Sequence, residues 1–421
     1  MDQGPHRSDP QPIPDGGVLS SVPALDGLRG LAILLILWYH APFLFSELPQ
    51  FSAGETPWSM FGFFGRMSLG GWIGVDLFFV VSGFFITTIL LRSRDAGTWP
   101  WVFWGRRALR ILPLAAAYLL ILFVLQGMGD PLHLLPDFHG WSWYAVYLGN
   151  IHISLYGWQP LAVMILWSLA IEGQFYLVWP LIVHIVNTTR LMRWCIGLIV
   201  LAPLIRIGTS VTMDYPATYV FTLCRVDALA AGALVATLLS SHAWRQRTIE
   251  SCGRLVFPVL LLIVLTLLVP FSPLLPQTRP WFFSIVGYSW LAIGFAVCLV
   301  ASVSSTGLWG RIVTSPFLTL LGRRCYGLYI WHVIVAGLVK VVLDFLQVGF
   351  FAHVLVWLIL LMGVASASWY CLEAPILRLK RCIPYLPMQP SQIVPITSSY
   401  PQISPGSGPH CESTAVAPNR L

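Results

Sequence analysis

Residues 25–45 read LDGLRGLAILLILWYHAPFLF. This stretch is apolar enough to span a membrane, yet it carries Asp26, Arg29 and His40. A charge at the bilayer centre costs roughly 2.5–3.5 kcal/mol on insertion scales, so such groups persist mainly where they are paired or used. Arg29 and His40 are eleven residues apart. At ~100° per residue this is three turns plus ~20°, which puts both on one helix face ~16 Å apart along the axis. Asp26 shares that face and is placed to pair with Arg29. An arginine snorkelling to the headgroups and a histidine bonded to a backbone carbonyl would satisfy the same pattern.

The rest of the chain has the same character. Of its 421 residues, 57% are hydrophobic and 10% charged, with mean hydropathy +0.76. Soluble domains carry about 25% charged residues, so this is an integral membrane protein. The net charge of +7 is almost all arginine, only Lys340 and Lys380 being lysines. In a membrane protein that excess marks cytoplasmic loops rather than nucleic-acid binding. The eight cysteines are scattered through apolar segments without CxxC or metal-type spacing, so neither a disulfide framework nor a metal site is expected. The N-terminal residues lack a basic start followed by an apolar core, and no cleaved signal peptide is expected.

Apolar runs able to cross ~30 Å of hydrocarbon occur at about 25–45, 70–91, 108–127, 161–186, 194–210, 218–240, 255–272, 282–305, 325–346 and 351–374. The aromatic segment 141–158 is ambiguous. If it does not cross, eighteen arginines and lysines fall on the side of the termini, against Arg66 and Arg279 opposite; if it crosses, the split becomes seven to thirteen. The positive-inside bias therefore selects an all-α, polytopic bundle of about ten transmembrane helices with both termini cytoplasmic. Residues 141–158 then lie on or dip into the outer face. Residues 1–22 are expected to be a disordered tail, as is the Pro/Ser-rich stretch 379–421 with its eight prolines. "NTT" at Asn187 fits a glycosylation acceptor, but this topology puts it inside.

Further ionisable groups recur within the spans. Asp76, Arg225 and Asp227 sit at depths near His40, Glu172 near mid-membrane and His332 towards the inner half. Several such groups on different spans suggest a shared polar cavity, although Arg225 with Asp227 reads equally as a structural pair. On the inner face, Arg107 and Arg110 of WGRRALRILP are i,i+3 neighbours able to grip one anion; ordinary topology-setting charge would look the same. P-loop, HExxH and GxSxG motifs are absent from the sequence.

Seven segments in order complete the reading: PALDGLRGLAILLILWYH, GWIGVDLFFVVSGFFITTILLR, RRALRILP, LWSLAIEGQFYLVWP, RVDALAAGAL, YGLYIWH and YCLEAPILR. Together they resemble the acyltransferase 3 family of multi-pass membrane O-acyltransferases, from about Pro23 to Arg378. The resemblance implies a domain over residues 23–378 in the cytoplasmic membrane. It also implies transfer of an acyl group, acetyl or another short chain, from acyl-CoA to a hydroxyl of a carbohydrate or small natural product. The family's Arg–His pair maps to Arg29 and His40, and its Arg-x-x-Arg motif to Arg107 and Arg110. His40 is then the expected base, with Arg29 and Glu172 beside it in catalysis. Arg107, Arg110, Asp76, Arg225 and His332 are expected to bind substrates, with Glu172 or Asp76 orienting the imidazole or holding acceptor hydroxyls. Acyl-CoA enters as a donor substrate; no bound cofactor or metal is expected. Some relatives carry a fused extracytoplasmic hydrolase-like domain, which is not read in this sequence, so the acceptor stays open between glycan and diffusible metabolite. The rival expectation is a proton-coupled transporter or exporter of an acylated solute.

Overall fold

The computed structural model describes residues 23–45, 68, 70–136, 138–268, 283–304, 307–347 and 349–385. Residues 1–22 and 386–421, Arg66 and Arg279 lie outside the described residues. The described chain is helical, and no strand occurs among its residues. Ten helices carry the apolar runs: α1 (Pro23–Phe45), α2 (Gly74–Asp95), α3 (Pro100–Gly127), α4 (Leu166–Ile185), α5 (Thr188–Thr212), α6 (Thr222–Ser240), α7 (His242–Leu268), α8 (Tyr288–Ser304), α9 (Pro316–Phe345) and α10 (Phe350–Ser368). Each belongs to a segment long and apolar enough to cross a membrane. The chain is a multi-pass membrane protein.

Local chemistry marks the helix starts. Asn187 caps α5 by accepting from the Arg190 backbone N–H at 2.9 Å, so the asparagine of "NTT" has a helix-capping role. Ser315 caps α9 from the Leu318 N–H at 3.5 Å, with Pro316 in the first turn. The segment 141–158 forms two short helices, Trp141–Ala145 and Gly149–Tyr156, neither long enough to cross. Gly149, Gly157 and the positive φ of Tyr147 (60°) and Gly157 (82°) break it. Within it, burial raises the Tyr144 and Tyr147 phenols and lowers the His152 imidazole from their ordinary values.

The bundle is layered by burial. In α2 and α6, 83% and 78% of the apolar stretch is buried, against 17% and 11% in α5 and α7. The first pair is protein interior; the second turns its leucines and valines outward, as lipid contact requires. Association between membrane helices depends on close packing, because lipid is as apolar as leucine. Glycines make that approach possible. Gly27 meets Val313 at the end of the short helix Gly307–Val313 just before α9. A Cβ on Gly30 or Gly322 would collide with the backbone of Leu318 or Asp26, so α1 and α9 touch backbone to backbone. Gly83 and Gly232 do the same for α2 and α6, against Leu229 and Val80.

Two boundaries differ from the sequence reading. Residues 379–385, assigned to a tail, continue the chain after α10: a helix at Ala374–Arg378 runs into a turn at Leu379–Cys382. Arg106 anchors this segment by donating from Nη1 to the Lys380 and Ile383 carbonyls at 2.8 and 2.7 Å. Composition gave no sign of this long-range bond. The span read at 108–127 also begins earlier, at Pro100, because the arginines of 106–110 lie within the helix.

Candidate active site

A cavity of about 100 Å³ opens between α1, α2, α3, α4 and α9. Its wall carries three guanidiniums: Arg29 from α1, and Arg107 and Arg110 from α3. Arg29 lies over the Phe85 ring at 4.0 Å and pairs with Asp26 at 3.7 Å, as the i,i+3 spacing predicts. Asp26 is also 3.6 Å from Arg323, so one carboxylate faces two cations. Arg107 lies over Phe103 and Tyr176 at 5.4 and 5.5 Å. Stacking on rings holds a guanidinium in place while leaving its N–H fork free for an anion. Arg106, one residue away, points to the C-terminal segment instead, so the RRALR run divides into one anchor and two cavity residues.

Deeper in the cavity stands Glu172 of α4. Ser82 donates to its Oε1 and Tyr176 to its Oε2, each at 2.7 Å, so a short span of α2 and one turn of α4 fix the carboxyl. Tyr329 of α9 closes the wall; its hydroxyl bonds to the Ile165 carbonyl at 2.6 Å and meets the Ser168 hydroxyl at 2.7 Å. Tyr326 donates to the Ile111 carbonyl at 2.7 Å, and Cys325 lines the wall beside the arginines.

His40 does not line the cavity; it stands behind the Tyr329 end. Its Nδ1 is 3.0 Å from the Ile36 carbonyl, the backbone bond that an intrahelical histidine makes. A carbonyl only accepts, so Nδ1 bears the hydrogen and Nε2 is the ring's acceptor. The ring packs on His332 with centroids 4.9 Å apart, and His332 in turn lies 5.8 Å from the Tyr329 ring. The sequence reading set His332 at a different depth from His40. The close α1–α9 crossing brings them level, because glycine contact fixes the register of the two helices. Among the described residues neither Glu172 nor Asp76 bonds the His40 ring: Nδ1 goes to Ile36, and Tyr39 and His332 pack on the ring.

Asp76 and Arg225 are brought together with each other rather than on the cavity wall. Arg225 Nη2 donates to Asp76 Oδ1 at 2.6 Å, and the guanidinium lies over the Tyr288 ring at 4.1 Å. This corrects the expected pairing of Arg225 with Asp227. Residues two apart on a helix point ~200° away from each other and cannot meet. Asp227 pairs instead with Arg206 at 2.9 Å, a fully buried arginine that also donates to Ser289 and to the Ile285 and Cys224 carbonyls. Arg206 was passed over in the sequence, although a lone arginine in an apolar run was signal enough. Ser82, Ser168, Tyr176 and Tyr329 carried no such signal, since hydroxyl side chains are common in membrane helices.

Among the described residues no cluster of three or more histidines, cysteines and carboxylates is placed to hold a metal ion. The arrangement is cationic at one end and has carboxyl and hydroxyl groups further in, with a histidine pair behind the far wall.

Comparison with known proteins bears on the chain as a whole. A family model described as an acyltransferase domain matches residues 22–373. A putative O-acetyltransferase of Staphylococcus aureus (strain COL) is 28% identical over 342 residues, covering 76% of this chain and 51% of the relative. A putative peptidoglycan O-acetyltransferase of Bacillus subtilis is 28% identical over 381 residues (84% and 55%). A peptidoglycan O-acetyltransferase of Listeria monocytogenes is 26% identical over 373 residues (84% and 56%). The chain thus spans about half the length of these curated relatives. No solved structure matches it. The ten-helix bundle and the extent of the family match lead to one conclusion: this chain belongs to the acyltransferase 3 family.

Proposed function

We propose that the protein is a membrane O-acyltransferase that moves an acetyl or other short acyl group from acyl-CoA to a hydroxyl of a glycan. The observation that carries this reading is the cavity itself, with Arg29, Arg107 and Arg110 on its wall and the His40–His332 pair behind its Tyr329 end. Guanidiniums bind phosphates by paired charge-assisted bonds, so the arginine end suits the phosphates of CoA. The pantetheine arm would follow the cavity past Glu172, bringing the thioester towards His40. Nε2 of His40 takes the proton as the acceptor oxygen attacks the thioester carbonyl, an assistance worth typically about 10²–10⁴-fold. Tyr329 stands between the cavity and the histidines, so its side chain must shift, or the acceptor must enter from the His40 side. The glycan acceptor is suggested by relatives named for peptidoglycan O-acetylation.

In this reading both termini and the arginine mouth face the cytoplasm, where acyl-CoA is made. The experiment is acyl transfer by purified protein in liposomes, supplied with acetyl-CoA and a soluble glycan. Labelled acetyl appearing on the glycan, and its loss in His40→Gln, supports the reading. Solute flux with no acylated product overturns it in favour of transport.

A further inference from the structure

The proton path has a second member that the reading above leaves idle. His332 is fully buried. Its Nδ1 lies 2.6 Å from the Tyr329 carbonyl, so that nitrogen carries the hydrogen and the lone pair is on Nε2. Among the described residues, Nε2 has no hydrogen-bond partner. A buried acceptor left unpaired costs about 1–3 kcal/mol. The ring is also firmly placed. Trp357 donates to the His332 carbonyl at 2.9 Å, and the neighbouring Tyr329 is held by Ile165 and Ser168. His40 presents the same tautomer, with Nδ1 tied to Ile36, and the two rings meet at 4.9 Å with planes 46° apart. Both Nδ1 atoms are tethered to backbone carbonyls, so a proton passing between the rings must pass between their Nε2 atoms, which are not hydrogen-bonded to each other in this structure.

We propose that His332 is a positioning residue that acts through His40 as the second carrier of the transferred proton. The inference rests on the reading of His40 as the base. As the acceptor O–H bond breaks, its oxygen bonds to the thioester carbon and the proton passes to His40 Nε2. The imidazolium so formed lies beside the His332 ring, 4.9 Å between centroids, and a small shift of the His40 ring brings its Nε2–H to the unpaired His332 Nε2, which then takes a share of the proton. The carbon–sulfur bond then breaks, and sulfur takes one proton from the pair, restoring two neutral rings. The balance is alcohol plus thioester giving ester plus thiol. A lone imidazolium is costly in a low-dielectric interior, and a neighbouring lone pair reduces that cost.

The test compares wild type with His332→Gln and His40→Gln, each purified full length. Thermal midpoint and acetyl-CoA affinity report folding. The turnover number in mixtures of light and heavy water reports how many protons move in the limiting step. His332→Gln keeps hydrogen-bonding groups without a transferable proton. It is expected to retain midpoint and donor KM within about twofold and to lose roughly 10- to 100-fold in kcat, less than the ~10²–10⁴-fold of a full general base because His40 remains. The wild-type plot of rate against deuterium fraction should bow, and that of His332→Gln should be straight. A His332→Gln protein with near-normal kcat beside an inactive His40→Gln overturns the inference and leaves the base reading intact. An active His40→Gln overturns both. If His332→Gln fails to fold, the wild-type plot decides, because a straight line there means one proton and no second carrier.

Discussion

His40 shows how one residue can meet the ordinary and the functional reading at once. Its bond to the Ile36 carbonyl is what a packed intrahelical histidine would make, and the same bond directs the lone pair to Nε2. His40→Gln separates the two. As a general base, His40 cannot be replaced by an amide, so acyl transfer should fall by at least about 10²-fold while acetyl-CoA binding persists. Near-normal transfer by His40→Gln would leave the ring as packing only. The arginines divide similarly. Arg107→Ala and Arg110→Ala should each weaken apparent acetyl-CoA affinity several-fold, since both guanidiniums line the cavity. Arg106→Ala should leave that affinity unchanged and lower the thermal midpoint, because its bonds go to Lys380 and Ile383. Titration calorimetry with a non-transferable CoA analogue measures the first effect; equal affinities in all three variants would make the motif a topology signal alone.

Between the elements, two glycine crossings and two buried ion pairs set the helices. Gly232 of α6 meets the Val80 backbone, and Gly83 of α2 meets Leu229. Gly232→Val should cost about 1–3 kcal/mol or more, as overpacking of a closed interface does, and lower the thermal midpoint of detergent-solubilised protein. An unchanged midpoint would mean that α2 and α6 can part without loss. The pairs Arg225–Asp76 and Arg206–Asp227 tie α6 to α2 and to α5 at near-zero exposure. Removing one partner strands the other charge, so Arg206→Leu should destabilise by about 3–5 kcal/mol. The double variant Arg206→Leu/Asp227→Leu should recover much of that loss, a pattern that thermal melts of the three variants would reveal.

For the whole molecule, the arginine distribution predicts that both termini face the cytoplasm. Single cysteines at Ser241 and Gln347, introduced into a cysteine-free background, should label from opposite sides, the first from the cytoplasm and the second from outside. Labelling in the reverse sense would place the arginine mouth away from the acyl-CoA pool and remove the donor route.

The sequence by itself determined the number and place of the spans, the shortness of 141–158 and the i,i+3 pairing of Asp26 with Arg29. These depend on hydropathy, periodicity and spacing, which are local properties of the chain. It did not determine which charges pair, that His40 meets His332, that Glu172 is bonded by Ser82 and Tyr176, or that Arg106 turns to the C-terminal segment. Apart from the Tyr176 bond to Glu172, which lies within one turn of α4, each of these joins residues from different segments, tens to hundreds of positions apart. Only the crossing of α1 with α9 and of α2 with α6, fixed by backbone contact at glycines, decides which side chains come to face one another.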